Sequence, residues 1–361
     1  MNKRSIFVLY GGRSAEHEVS LMSAQNIISQ LNRDKYTVYP VYITAQGVFR
    51  TGDAIPGAVD SPDALRLTGK DNDTPSGSLA AFLRLVNETE NAFLFPALHG
   101  TYGEDGTIQG LFEMTGLPYV GAGVLASAAG MDKIVMKNLF ASAGIPQSQF
   151  VSFSHSRWTT EEEACFAQAL DTIGLPAYVK PANLGSSVGI SRAATADELR
   201  AAMKLAFRYD RRILVEQEIK GREIILAMRG NDDIACSKCG EWQRAATFFD
   251  FEDKYLDDGL TPKIPAAITD EQYRLICEYG RAAYRAIDCA GLARGDFFVT
   301  DEGEIYLNEL NTLPGFTSHS MYPLLWERSD GMAYTELLDA LIALGLERFA
   351  ETQAINYSKV D

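Results

Sequence analysis

The sequence predicts an α/β protein built in three sections. Three observations carry this reading. The chain has 361 residues, more than one hydrophobic core comfortably serves. Strand and helix patterns alternate through its first third, as in a parallel sheet covered by helices. Beyond that, short β-rich pieces are separated by helix-capping signals, which reads as a small central α+β unit and a larger C-terminal α+β unit. The expected sections are 1–131, 132–220 and 221–361.

In the first section, Ser5 to Tyr10 is an apolar run that reads as a buried strand, and Gly11-Gly12 makes the turn after it. A helix is expected to begin near Glu18, with Val19, Met22 and Ile27 on its apolar side. Tyr36 to Ile43 and Ala92 to Leu98 read as further strands, followed by a helix from Thr107 and a short strand at Tyr119-Val120. In such sheets, ligands gather at the carboxyl ends of the strands. Gly11, Gly12 and Glu16 stand at one such end, and His99 to Gly106 at another. No GxGxxG follows the first strand, so the glycine pair alone does not indicate a dinucleotide site.

In the second section, Thr160-x-x-Glu163 and Thr195-x-x-Glu198 each read as a capping box ahead of a helix. Ala177 to Lys180 and Val188 to Ser191 read as strands joined by the Gly/Ser loop 181–187, with a further strand from Arg212 to Glu216. The third section offers strands at Glu223 to Met228, Leu292 to Val299 and Glu304 to Leu310. Helices are expected near Thr269, where Thr269-x-x-Gln272 is another capping box, and near Ala333. The stretch 250–265 is charged, contains glycine and reads as a long surface loop.

Composition excludes several classes. No apolar run approaches the roughly 18 residues of a membrane span. Met1 leads directly into a strand, without the apolar core of a signal peptide. The five cysteines are scattered, which fits a reducing cytoplasm, and Cys236-x-x-Cys239 lacks the second ligand pair of a zinc site. A net charge of −15 argues against a nucleic-acid partner.

The chemistry concentrates near the C-terminus, in the stretch EIYLNELNTLPGF. Ile305, Leu307 and Leu310 supply the apolar side of a strand, while Glu309 and Asn311 fall on the other. Placing Glu302-Gly303 as a two-residue hairpin loop sets Asp296 opposite Glu309 and Arg294 opposite Asn311, all on one face. Two carboxylates and a carboxamide so arranged suit Mg²⁺, which takes one or two carboxylates together with phosphate oxygens. A solvated face with scattered charges is the alternative. Lys180 closes an apolar strand, where an ammonium calls for an anion. The loop after it could bring backbone N–H groups to phosphate oxygens, although no P-loop motif is present. Glu216, at the end of another apolar strand, could accept from an adenine amino group, or mark an ordinary turn.

Taken together, the segments GGRSAEHEVS, LHGTYGEDGTIQGLFE, GMDKIVMK, VKPANLGSSVGIS, EDKYLDD, RGDFF and NELNTLPGFTSHSMYP resemble, in order and spacing, the D-alanine:D-alanine ligase family of the ATP-grasp superfamily. The resemblance spans essentially the whole chain. It implies an ATP-grasp fold with an N-terminal parallel-sheet domain, and cytoplasmic synthesis of D-alanyl-D-alanine for peptidoglycan. The partners it implies are D-alanine and ATP, with a homodimer as the assembly. Asp296, Glu309 and Asn311 would hold two Mg²⁺, with Mn²⁺ as an alternative ion. Lys133, Lys180, Ser187, Glu216, Ile219, Glu223, Lys254, Asn308 and Glu309 would line the ATP site. Glu16 would meet the first substrate's ammonium, with Ser186 and Tyr255 bonded to it and His99 nearby. Arg294 and the Gly315 N–H would form an oxyanion hole, and Ser320 with Met321 would hold the second carboxylate. Residues 250–265 would be a lid carrying Lys254 and Tyr255. That pair, and His319-Ser320-Met321-Tyr322, match dipeptide-forming members better than relatives using D-serine or D-lactate.

Overall fold

The computed structural model describes residues 3–69, 73–185, 187–243 and 261–356. Three four-stranded sheets follow one another along the chain. The first contains β1 (Arg4–Gly11), β2 (Tyr36–Ile43), β3 (Phe49–Thr51) and β4 (Ala92–Pro96), in the order β3-β2-β1-β4. β1 runs parallel to both neighbours and is buried on both faces, which is why its sequence is a continuous apolar run rather than an alternating one. α1 (His17–Gln30), α2 (Pro75–Glu88) and α3 (Thr107–Thr115) accompany this sheet. α1 buries Leu21, Ala24, Ile27 and Ile28 against it, with Ser20 and Ser23 on the same face. Met22, expected in that face, is only half-buried. The helical turn after Leu21 carries it to the side.

After α4 (Val124–Met131) and α5 (Lys133–Ser142) comes the second sheet, with β5 (Phe150–Ser154), β6 (Ala177–Pro181), β7 (Ser191–Ala193) and β8 (Arg212–Gln217). Its order is β5-β8-β6-β7, with every pair antiparallel. α6 (His155–Thr160), α7 (Glu162–Ile173) and α8 (Ala196–Ala206) belong to this part of the chain. Thr195 caps α8 in the expected reciprocal box. Thr160 does not cap α7. It ends α6, and its hydroxyl donates back to the carbonyls of Ser156 and Arg157. Glu161 alone breaks the chain between the two helices. Val188 lies in the turn before β7, with Ser187 and Gly189 both at positive φ.

The third sheet has the order β10-β9-β13-β14, formed by β9 (Arg222–Gly230), β10 (Ala235–Cys236), β13 (Gly291–Val299) and β14 (Ile305–Asn311). A separate pair, β11 (Glu241–Gln243) with β12 (Thr261–Lys263), flanks the stretch 244–260. α9 (Asp270–Ala286), capped by Thr269 as expected, packs on this sheet together with Met136 and Phe140 of α5. α10 (Met321–Asp330) and α11 (Tyr334–Gln353) complete the chain. Their Tyr322, Trp326, Leu338 and Leu341 share one core with Ile6, Val8 and Tyr10 of β1. The last part of the sequence is thereby fastened to the first sheet.

Candidate active site

The hairpin of β13 and β14 brings the predicted metal-binding residues together. Asp296 pairs with Glu309, and Arg294 with Asn311. The local path differs from the expected one in two ways that cancel. The loop holds three residues, Asp301 to Gly303: Val299 pairs with Ile305, and the N–H of Gly303 reaches the Thr300 carbonyl at 3.0 Å. Gly303 takes φ +88°, the left-handed conformation such a loop requires. Asn308 then forms a β-bulge, because Phe297 pairs with Leu307 while Asp296 pairs with Glu309. The extra residue restores the register at the site. It also places Asn308 and Glu309 away from the core face that buries Leu307 and Leu310. Arg294 and Asp296 lie within β13 itself, not at its entrance.

Arg294 grips Asp296 with both arms, Nε at 2.8 Å and a terminal nitrogen at 2.7 Å. The Asn311 side-chain oxygen takes the Leu313 N–H at 3.0 Å, turning the chain toward Pro314 and Gly315. Two facing carboxylates with a carboxamide two residues on suit a hard divalent cation. Among the described residues, no cluster of three or more His, Cys, Asp or Glu could hold a metal.

Opposite this acidic face stands a group of buried lysines. Lys133 starts α5, whose N-cap Asp132 accepts from the N–H groups of Ile134 and Val135, each at 3.1 Å. Its ammonium donates to the Leu184 carbonyl at 2.7 Å. Burial lowers the pKa of Lys133, and Glu309 works against that fall. Lys180, near the end of β6, pairs with Glu216 of β8 and lies 3.4 Å from Asn308 Oδ1. Lys137, one turn beyond Lys133, meets the other oxygen of Glu216 at 3.0 Å and Ser148 Oγ at 2.9 Å. Burial would raise the Glu216 carboxyl, but Lys180 and Lys137 outweigh it and bring it down to about 2. Glu216 and Lys137 are 4% and 1% exposed, so this network is part of the core. Ile219 lies half-buried beyond β8, and Glu223 is exposed on β9 beside it.

The first sheet supplies the remaining wall. Glu16, 8% exposed, directs its carboxylate at two glycines from separate loops. A Cβ on Gly100 would come within 2.5 Å of Glu16 Oε2, and one on Gly185 within 3.1 Å. Gly100 also has φ +68°, so both conformation and space demand glycine there. His99, at the mouth of β4, bonds Ser23 Oγ through Nε2 at 2.9 Å, and its Nδ1 lies 3.5 Å from Glu104. Burial, then the neighbouring Glu16, raises the Glu104 carboxyl, and the His99 contact only partly offsets this. On the far side, Ser320 precedes α10; its Oγ accepts the Thr317 N–H at 2.9 Å and shares a hydrogen bond with the Thr317 hydroxyl at 2.9 Å. A Cβ on Gly315 would sit 2.8 Å from Ser320 Oγ, so glycine alone allows this approach. Met321 opens α10, and no side chain caps that helix start.

Ser186, Lys254, Tyr255 and most of the predicted lid lie outside the described residues. Four residues that sequence reasoning did not single out contact predicted ones: Lys137 and Ser148 at Glu216, and Ser23 and Glu104 at His99. Two signals were available. Lys137 follows Lys133 by one helical turn, and Ser23, with Ser20, interrupts the apolar face of its helix.

The chain matches the family models for the N-terminus of D-ala D-ala ligase over residues 5–122 and for its C-terminus over 139–343. It is 47% identical to the D-alanine–D-alanine ligase of Bacillus cytotoxicus, over 99% of this chain and all of that one. Identity to the D-alanine–D-alanine ligase of Staphylococcus carnosus is 43%, with both chains fully covered. Among solved structures, the D-alanine-D-alanine ligase from Coxiella burnetii superposes with a TM-score of 0.79 at 33% identity, covering 98% of this chain and 97% of that one. VanG D-Ala:D-Ser ligase from Enterococcus faecalis does so equally, at 33% identity, covering 95% and 100%. The three sheets are those of the ATP-grasp fold these enzymes share, and the chain belongs to the D-alanine–D-alanine ligase family.

Proposed function

We propose that the protein joins two D-alanines into D-alanyl-D-alanine at the expense of ATP, through an acyl phosphate, for cell-wall synthesis. The observation that carries this reading is the pairing of Asp296 with Glu309 across from Lys133 and Lys180. Phosphoryl transfer needs positioning and charge neutralisation more than covalent help. Lys133 and Lys180 would take the α- and β-phosphates, and Lys254 the γ-phosphate. Lys180 is held by Glu216 in this structure, so phosphate would have to compete for it. Glu216, Ile219 and Glu223 would bound the adenine and ribose, with Ser187 and Asn308 completing the nucleotide site. Asp296, Glu309 and Asn311 would hold two Mg²⁺, or Mn²⁺ in their place, which when bound neutralise charge on the phosphates.

The first D-alanine would lie near His99 with its ammonium toward Glu16, and Ser186 and Tyr255 would close the site over it. Its carboxylate oxygen attacks the γ-phosphorus and ADP leaves. The second D-alanine, its carboxylate at Ser320 and the start of α10, attacks the acyl carbon through its amine. Phosphate departs and the amine loses a proton. Arg294 and the Gly315 N–H would stabilise the oxyanion of that step, and a donor of this kind is generally worth roughly 3–4 kcal/mol. His319-Ser320-Met321-Tyr322 favours D-alanine over D-serine as acceptor. The active form is a cytoplasmic homodimer. Phosphate release from ATP and Mg²⁺ that depends on D-alanine, with the dipeptide identified by mass, tests the proposal. Phosphate release indifferent to D-alanine would refute it.

A further inference from the structure

Gly315 is the most pliable link in the loop assigned to the oxyanion, since without a Cβ its dihedrals are weakly restrained. The structure restrains them from outside. The peptide that follows Gly315 donates its N–H, that of Phe316, to Ser23 Oγ at 3.1 Å. Ser23 belongs to α1, 293 residues away, and is fully buried. On the other side of Phe316, its carbonyl accepts from Tyr334 O–H at 2.6 Å. The Phe316 ring is wedged edge-on against Phe95 and Tyr334.

Ser23 is itself held. Its oxygen receives the Phe316 N–H and stands 2.9 Å from His99 Nε2, to which its single hydroxyl proton can be donated. That assignment leaves the imidazole proton on Nδ1, which faces Glu104 Oε1 at 3.5 Å. His99, Ser23 and Phe316 are buried, where an unmet polar group is costly, and Glu104 stands half-buried at the end of this line of contacts. A serine in this arrangement is not a nucleophile, because its oxygen is enclosed and already accepts a backbone N–H. We propose that Ser23 is a positioning residue for the ligation step: it pins the Gly315–Phe316 peptide from the first sheet, with His99 and Glu104 orienting its hydroxyl. This rests on assigning the Gly315 N–H to the oxyanion of the second step.

The consequence is specific. A loosened Gly315 weakens attack on the acyl phosphate more than formation of that acyl phosphate. Ser23→Ala should lower kcat for dipeptide by about 10- to 100-fold, with the KM for ATP little changed. Phosphate release should outrun dipeptide formation, because the stalled acyl phosphate is lost to water. Glu104→Gln should show the same uncoupling more weakly, and the double variant should be no worse than Ser23→Ala alone. An equal yield of phosphate and dipeptide in Ser23→Ala, or losses that multiply in the double variant, would overturn the proposal. If Ser23→Ala fails to fold, Glu104→Gln carries the test, and fully coupled turnover in it overturns the proposal. An unmodified chain without D-alanine-dependent phosphate release would overturn the functional reading and this inference together. An active unmodified chain with an indifferent Ser23→Ala would overturn the inference alone.

Discussion

The acidic hairpin face and the lysine cluster face one another, yet their charges are arranged by opposite rules. In the cluster, Lys137 and Lys180 flank Glu216, and Ser148 donates to the same carboxylate at 3.0 Å. Glu216 is thus matched inside the protein by two lysines and a hydroxyl. On the hairpin, Asp296 and Glu309 are like charges set opposite one another, an arrangement that costs stability across a strand pair. Arg294 relieves Asp296, and Glu309 lies close enough to Lys133 to favour its charged form. Buried opposite charges build structure. Like charges gathered at a half-buried rim cost stability, and on the proposed function a cation and its phosphates would offset that cost.

The sharpest way to break the contrast is Glu309→Gln. It should reduce turnover by about a thousandfold or more, while thermal unfolding moves by only a few degrees. Retained ligation in that variant would return the hairpin to an ordinary charged face. Next in size is Lys137→Met, which removes one partner of a buried carboxylate and should cost about 3 kcal/mol in chemical denaturation. A variant as stable as the parent would mean that Lys180 and Ser148 satisfy Glu216 by themselves.

Acid separates the two regions further. The folded pKa of Glu216, about 2, lies below its unfolded value, so the unfolded chain binds the extra proton first as pH falls. The stability it contributes is complete above about pH 5 and is lost on acidification toward pH 2, a loss of about 3 kcal/mol. Glu216→Gln should flatten that part of a pH–stability curve measured by denaturant titration, and an unaltered slope would refute the assignment. The smallest effect should come from Asn308→Ala. Its contact with Lys180 at 3.4 Å is long, and stability should move by less than about 1 kcal/mol. A larger loss would show that the bulge depends on the asparagine itself.

Much of the fold was legible because its causes are local. The unbroken apolar run of β1, and the Thr195 and Thr269 capping boxes, state their structures within a few residues. Thr160 misled because the same hydroxyl can bond backward to carbonyls as readily as forward to an N–H, and only the path of the chain decides which. The hairpin register came out right at Asp296 through two offsetting differences, a longer loop and a bulge. The bulge was visible in principle: apolar positions step by two from Ile305 to Leu307, then by three to Leu310.

By itself, then, the sequence determined the strands that bear the site, the capped helices at Thr195 and Thr269, the sharing of one face by Arg294, Asp296, Glu309 and Asn311, and the family to which its motifs conform. Periodicity, capping and turn chemistry act over short stretches of chain, so they can be read without coordinates. Only the tertiary structure decided that Lys137 completes the Glu216 cluster, that Glu16 lies against Gly185, and that Ser23 reaches Phe316 across 293 residues. Those contacts depend on how three sheets dock, and docking is set by burial summed over many side chains, which no short stretch encodes.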